Sequence, residues 1–327
     1  MNKLYRQGLR LIGAGMLAAL AAGTSSAAGF PDHAIQLVSP YAAGGTNDYL
    51  TRLMARYMGE ALKATIVVEN RTGANGIVGA SFVAKSAPDG YTLLMGNSAT
   101  HGTNPTLYPD APYDAVNDFA PVGMVGSVPI VLAVNAALGV NNVKELLAYG
   151  KAHPGKLSFG SSGVGGTGHL AGESFKAASH LDLVHVPYKG DAPAVTDTMG
   201  GQVSMSFVGI SSATPFVATG KLKIIAIANK TRVASLPDVP TFDQAGLGDI
   251  EFAQWYALFT RAGTPPDRLA TLNQALKQVL GREDVQKGMA TQGAEPTYTA
   301  PQELAAFSKS EVERFGKIIK DLKIEVK

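Results

Sequence analysis

The stretch IQLVSPYAAGGTNDYLTRLMARYMGEALKATIVVE, residues 35–69, changes hydrophobic period twice. Ile35 to Val38 reads as a strand. From Asp48 to Leu62 the apolar residues Leu50, Leu53, Met54, Tyr57, Met58 and Leu62 recur at steps of three and four, which places them on one face of a helix. Asn47 or Asp48 is of the right type to cap its free amides. Thr65 to Glu69 is again β-branched and strand-like, and it is followed by a helical pattern over Ile77 to Ala84 and a strand over Tyr91 to Met95. This βαβαβ order predicts an α/β fold with a mostly parallel sheet covered on both faces.

The same alternation restarts near Val128. Strand-like Ile130 to Val134 leads to helix Val143 to Ala152, strand Leu157 to Gly160, helix His169 to Ser179 and strand Leu183 to Val186. Helix Ala192 to Met199, strand Val203 to Val208, helix Ser211 to Thr219 and strand Leu222 to Ala228 follow, which is enough for a second α/β lobe. Strand Trp255 to Thr260 and helices Asp267 to Leu280 and Gln302 to Leu322 are too few for a third. Returned to the first lobe, they give residues 29–128 plus 250–327 as one lobe and 129–249 as the other, with crossings near Val128 and Ile250. Ligands of open α/β sheets sit beyond the carboxyl ends of the strands, so two such lobes face a shared cleft.

The chain has 327 residues, 46% of them apolar and 17% charged, a balance that folds. It has no cysteine, which excludes disulfides, thiolate metal sites and thiol nucleophiles together. Residues 1–28 have the layout of a secretory signal peptide: basic Lys3, Arg6 and Arg10, an apolar run from Leu11 to Ala22, and small residues Ser25 to Ala28, with cleavage expected after Ala28. That run is too short to span a bilayer, which takes about 20 residues. Without this leader the 28 basic residues fall to 25 against 26 acidic ones, so no basic excess exists for a nucleic acid. The expectation is an exported monomer that needs no metal and no cofactor.

Glycine clusters where strands turn into helices. Tyr41-Ala42-Ala43-Gly44-Gly45-Thr46-Asn47-Asp48 joins the first strand to the first helix, and Gly160-Ser161-Ser162-Gly163-Val164-Gly165-Gly166-Thr167-Gly168-His169 does the same in the second lobe. Such turns let backbone approach a ligand closely and leave helix-start amides pointing outward beside a partial positive charge, where an anion fits. One helix end contributes only about 0.3 to 1 kcal/mol, up to about 2 when partly buried, whereas micromolar binding takes about 8 kcal/mol. Several charge-assisted hydrogen bonds at about 1.5 to 3 kcal/mol each, supplied from both lobes, reach that range. A small carboxylate bridging the lobes suits this better than a neutral molecule.

Competing chemistries leave weaker traces. Gly163 to Gly168 matches G-x-G-x-x-G, but strand Leu183 to Val186 runs into Pro187-Tyr188-Lys189 without the acid that a dinucleotide ribose requires. Gly96-Asn97-Ser98-Ala99-Thr100 lacks the final glycine of a nucleophile elbow, so an exported serine hydrolase using Ser98 or Ser162 stands as the alternative. A ligand sensor for a signalling partner is a third reading. The six histidines, at 33, 101, 153, 169, 180 and 185, form no metal-ligand motif, and His169 stands beside the second glycine loop. Trp255 and Tyr256 read as core residues or as an apolar cleft wall.

Six motifs occur in order along the chain: Tyr41 to Asp48, Val68-Glu69-Asn70-Arg71-Thr72-Gly73-Ala74-Asn75-Gly76, Ala87-Pro88-Asp89-Gly90-Tyr91-Thr92, Ser161 to His169, Val186-Pro187-Tyr188-Lys189-Gly190, and Leu236-Pro237-Asp238-Val239-Pro240-Thr241. Together they resemble the substrate-binding receptors of tripartite tricarboxylate transporters, the Bug or TctC type, over essentially the whole chain beyond the leader. The resemblance implies a two-lobed periplasmic receptor of the class II binding-protein kind that closes on an organic carboxylate and delivers it to an integral-membrane permease, with no reaction. It also implies that main-chain amides and short polar side chains hold one carboxylate: Tyr41, Gly44, Gly45 and Asn47 in the first lobe, and Ser161, Ser162, Gly165, Gly166, Thr167 and His169 in the second, with Asn97 and Ser98 as additions. Selectivity is then expected from Lys189, Gly190, Asp191, Val208, Gly209 and Ile210. Many relatives carry an acidic or amide residue after the Phe207 equivalent; Val208-Gly209 here implies space for a bulkier or less polar end, such as an aromatic or longer aliphatic acid, rather than a compact amino acid or tricarboxylate. Arg71 is expected to lock its turn rather than to pair a second carboxylate.

Overall fold

The computed structural model describes residues 29–325, so the signal-peptide reading of residues 1–28 lies outside the described residues. Ten strands form the framework: β1 (Ile35–Ser39), β2 (Ile66–Asn70), β3 (Thr92–Asn97), β4 (Phe119–Asn135), β5 (Leu157–Ser161), β6 (Leu183–Pro187), β7 (Met205–Gly209), β8 (Leu222–Ala228), β9 (Ala253–Arg261) and β10 (Glu295–Pro296). Their order is β2-β1-β3-β9-β4-β7-β5-β6, with β8 and β10 also on β4. The pairs β1–β2, β1–β3, β5–β6 and β5–β7 are parallel, as the alternating pattern requires. The expected mostly parallel sheet is nevertheless mixed, because β9 and β4 run antiparallel through its centre.

Strand β4 joins the two lobes. Its first part, Phe119 to Pro129, pairs with β9; from Ile130 it pairs with β7 and β8. The sequence pattern shows only the second part as a strand, because Pro121, Gly123, Gly126 and Pro129 interrupt the β-branched signal of the first. Those residues serve two register shifts, one between Pro121 and Gly123 and one between Met124 and Gly126. At Gly126 the carbonyl oxygen of Glu295 would stand 2.4 Å from a Cβ, so only glycine lets β10 close on this edge. The other crossing is tied to the same place: Ile130 N–H donates to Phe252 O (3.1 Å) and Phe252 N–H to Ala228 O (2.8 Å).

Alternation along β1 sorts the first lobe into two layers. Ile35 and Leu37 pack with Leu50, Met54 and Met58 of the helix Thr46–Leu62 and with Leu272 and Leu276 of the helix Pro266–Leu280. Val38 turns to the opposite layer with Val83, Leu94, Phe259 and Leu304. Leu50, Met54 and Met58 are fully buried, and each contributes about 1.5 to 3 kcal/mol relative to exposure. In the second lobe Leu132, Phe159, Leu170, Phe175 and Phe207 form the matching core. The last helix, Pro301–Asp321, was expected on the first lobe alone; Leu304 packs there, while Phe315 and Ile319 join the second core. The helix Glu283–Ala290 and the short turns from Ala99 to Leu107 were not legible as elements.

The close approach at Gly126 is testable. Gly126→Ala should destabilise the protein by about 1 to 3 kcal/mol through overpacking against Glu295 O, read as a lower urea midpoint, whereas an unchanged midpoint would show that β10 moves aside freely.

Candidate functional site

Both glycine loops sit at carboxyl ends of strands and open a helix. In the first, Gly44 takes φ +90° and Gly45 caps the helix Thr46–Leu62 without a side-chain bond. The amides of Thr46, Asn47 and Asp48 donate to no protein acceptor among the described residues. Neighbouring side chains hold the loop from behind. Asp48 accepts from Gly44 N–H (3.0 Å), Arg52 Nε (2.9 Å) and Asn70 Nδ2 (2.8 Å), and Asn70 Nδ2 also reaches Tyr41 O (2.9 Å). Burial pushes the Asp48 carboxyl up, but Arg52, Gly44 and Asn70 together hold it below the usual carboxylate range.

Asn47 is buried and turned inward: its Nδ2 donates to Met95 O (3.1 Å) and its Oδ1 accepts from Ser39 Oγ (2.9 Å). Its side chain therefore anchors the helix start to β3, and only its backbone amide is left for a ligand. Asn97 is likewise internal. Its Oδ1 accepts from the amides of Ala99 and Thr100, each at 3.1 Å, and from the Tyr41 hydroxyl at 3.2 Å, which fixes the amide orientation and leaves buried Nδ2 with no acceptor among the described residues. Burial raises the Tyr41 phenol well above its ordinary value, so it stays a neutral donor.

In the second loop, Gly165 takes φ +75° and Gly166 caps the helix Thr167–Ser179, again without a side-chain bond. The amides of Thr167, Gly168 and His169 have no protein acceptor among the described residues. His169 supports the loop from within: Gly165 N–H donates to its Nδ1 (3.0 Å), which puts the imidazole proton on Nε2. His185 stacks on His169 at 3.9 Å and lies 2.7 Å from Ser161 Oγ through its Nε2. His185 was not singled out by sequence, having no motif of its own. Ser161 is fully buried.

The first lobe meets the second glycine loop through Ser98 and Leu107. Ser98 Oγ lies 3.0 Å from Thr167 Oγ1, and the Leu107 side chain covers Gly165 so closely that a Cβ there would stand 2.1 Å from it. Tyr41, Asn97, Ser98 and Thr167 therefore form one continuous polar seam between the lobes. Tyr256 reaches this seam from β9: Thr46 lies beside its hydroxyl, and Asp191 and Tyr41 lie near enough to act on it electrostatically. Trp255, one residue earlier, faces the other way, where its Nε1 donates to Glu311 Oε2 at 2.9 Å. Strand alternation separates the two aromatics that sequence reading grouped together.

The selectivity candidates divide. Lys189 is exposed and pairs with nothing among the described residues. Asp191 Oδ2 accepts from Gly209 N–H (2.9 Å) and Ser212 Oγ (3.4 Å). The space expected beside Val208-Gly209 is filled: Val208 is fully buried in the core, and a Cβ on Gly209 would stand 3.2 Å from Val128 Cγ1 and 3.3 Å from Asp191 Oδ2. Arg71 Nε lies 2.8 Å from Glu69 Oε1 and its guanidinium sits 3.5 Å over the Phe82 ring, in keeping with a turn-locking role. Two cavities of about 240 and 430 Å³ lie away from the loops, one beside Tyr108 and Val312 and one behind the lobe crossing beside Trp255 and Arg314.

Comparison with known proteins fits this geometry. Residues 50–324 match the model of the tripartite tricarboxylate transporter family receptor, TctC. The chain belongs to this family. It is 33% identical to the protein BugT of Bordetella pertussis over 320 residues, 98% of each chain. Among solved structures, an R. palustris protein with adipate is 33% identical with a TM-score of 0.83, covering 90% of this chain and 99% of that one. MatC from Rhodopseudomonas palustris with bound malate is 32% identical with a TM-score of 0.78, covering 89% and 100%. The fold is thus the two-lobed α/β periplasmic-binding-protein fold, and the chain is a non-enzymatic solute-binding receptor of the TctC type.

The buried imidazoles give this receptor a pH signature. Burial lowers His169 to about 4; burial, with His169 and Lys176 adding to it, lowers His185 to about 3. The unfolded chain takes up these protons near pH 6.5, so stability is complete above that and falls as pH drops toward 4 and then 3. The urea midpoint should decline between pH 7 and 4.5, and His169→Gln should lower the midpoint at pH 7 while flattening the decline.

Proposed function

We propose that this receptor captures a small organic carboxylate between its two glycine loops and hands it to the membrane permease subunits of a tripartite tricarboxylate-type transporter. The observation that carries the reading is the pair of helix starts, Thr46 to Asp48 and Thr167 to His169, whose amides have no protein acceptor among the described residues, the second of them held to the first lobe by the Ser98–Thr167 contact. An anion supplies the missing acceptor for both at once. Neither loop suffices alone, so binding and closure are one event: the acid is held tightly only when both lobes contribute.

The periplasm is the proposed location, resting on the signal-peptide layout of residues 1–28. The solved relatives hold adipate and malate, and we take the ligand here to be an acid whose remainder lies toward Asp191 and Tyr256, with Gly209 and Val128 closing that end. Tyr41, Gly44, Gly45, Ser162, Gly165, Gly166 and Thr167 form the proposed contact set, with Asn47, Asn97, Ser161 and His169 holding the loops in shape. Ser98 bonds Thr167 and Ser162 lies beside Asp191, and neither has an imidazole partner among the described residues, which removes support from the hydrolase alternative.

Gly45 and Gly166 allow a direct test. A Cβ on Gly45 meets nothing nearer than Ala42 O at 4.0 Å, and one on Gly166 is no closer than 3.3 Å to Gly163 O and Ser162 Oγ. Gly45→Leu should therefore keep the unliganded melting temperature within a few degrees, and Gly166→Leu, which is tighter, should lower it while still giving a cooperative transition; both should obstruct the amides. In a thermal-shift screen of mono-, di- and tricarboxylates, wild type should be stabilised by at least one acid recovered unchanged, and both variants should lose that shift. Undiminished shifts in both variants would contradict capture by backbone amides.

A further inference from the structure

Asp191 stands beside the second glycine loop, on the side toward which the proposed ligand extends. It begins the helix Asp191–Gly200, and its Oδ2 takes the Gly209 amide and the Ser212 hydroxyl. Ser162 of the second glycine loop lies on its other side. Across the cleft it faces Tyr256 of β9, whose phenol is raised well above its ordinary value by burial and, next, by the nearby Asp191 charge. No Lys, Arg or His pairs with Asp191 among the described residues, and Lys189, two positions away, stands exposed and makes no contact with it. Burial pushes the Asp191 carboxyl up, and the three neutral donors, Gly209, Ser162 and Ser212, pull the other way without supplying a compensating charge.

The two ends of the cleft therefore have opposite demands. Among the described residues the helix-start amides and the orphaned Asn97 Nδ2 offer donors without acceptors, while Asp191 offers a carboxyl group that only neutral donors touch. A second carboxylate at that end would meet a like charge in a partly dry site, which is strongly unfavourable, whereas an ammonium would meet an opposite one. Resting on the carboxylate reading above, we infer that Asp191 sets the specificity of the distal subsite and that the ligand carries a hydrogen-bond donor there, an amine above all, in place of a second carboxylate. The bland account, in which Asp191 only ties the helix start to Gly209, explains the bond to the amide but predicts no preference between ligand charges.

Matched acids separate the two. Isothermal titration of the mature protein would compare three sets that differ only at the far end: succinate, 4-aminobutyrate and butyrate; adipate, 6-aminohexanoate and hexanoate; terephthalate, 4-(aminomethyl)benzoate and 4-methylbenzoate. In the set that fits best by length, the amino acid should bind at least tenfold more tightly than the diacid. Asp191→Asn keeps an oxygen for Gly209 and Ser212 but removes the charge, so it should keep the unliganded melting temperature and shrink or reverse that ratio. A wild-type preference for the diacid, or a ratio unmoved by Asp191→Asn, overturns the inference while leaving carboxylate capture standing. Binding of none of the nine acids overturns the carboxylate reading and the inference with it.

Discussion

The structure depends on two helix starts, one at each glycine loop, whose amides are left without acceptors among the described residues. Everything around them serves to hold that unfavourable arrangement. A helix leaves its first four N–H groups unbonded, and the usual remedy is a Ser, Thr, Asp or Asn cap. Here both cap positions are glycines, Gly45 and Gly166, which donate no side-chain acceptor. The polar residues nearby are spent on shape instead: Asp48 and Asn70 tie the first loop, His169 and Ser161 the second. Loop rigidity is what allows weak individual bonds to sum, since little ordering remains to be done when the acid arrives.

Closure follows from the same plan. Strand β4 passes from one sheet to the other between Pro129 and Ile130, and Phe252 ties the return segment beside it. Two crossings at one level are where the proposed closure would bend, and the lobes touch along the seam from Tyr41 through Asn97 and Ser98 to Thr167. Because no Lys or Arg among the described residues bonds to the side chains of this seam, the proposed recognition of charge rests on backbone dipoles, and a single carboxyl group such as Asp191 would have an outsized effect on what the cleft accepts.

Much of this was legible in the sequence, for definite reasons. Leu50, Met54 and Met58 keep helical spacing because one face of that helix is buried, and helix Val143–Ala152 and strand Leu222–Ala228 were bounded correctly because capping and β-branched signals agree with their burial. The first half of β4 was hidden because its Pro and Gly residues serve bulges and a lobe crossing, demands set by residues far away in sequence such as Glu295. The glycine loops were visible, but the division of labour within them was not. Asn47 and Asn97 are polar and adjacent to the loops, yet their side chains face inward, and no local pattern distinguishes a ligand contact from a buried anchor. Nor could sequence show that Gly209 makes no room, because Val128 and Asp191 fill the place from other elements.

The measurement that bears most directly on the two-loop account is amide NMR of the mature protein during titration with a carboxylate that stabilises it. The N–H protons of Thr46 to Asp48 and of Thr167 to His169 should both move strongly downfield, with the same saturation curve, as they gain a charged acceptor. Movement of one set alone, or of neither while the acid binds, would contradict a single headgroup held from both sides.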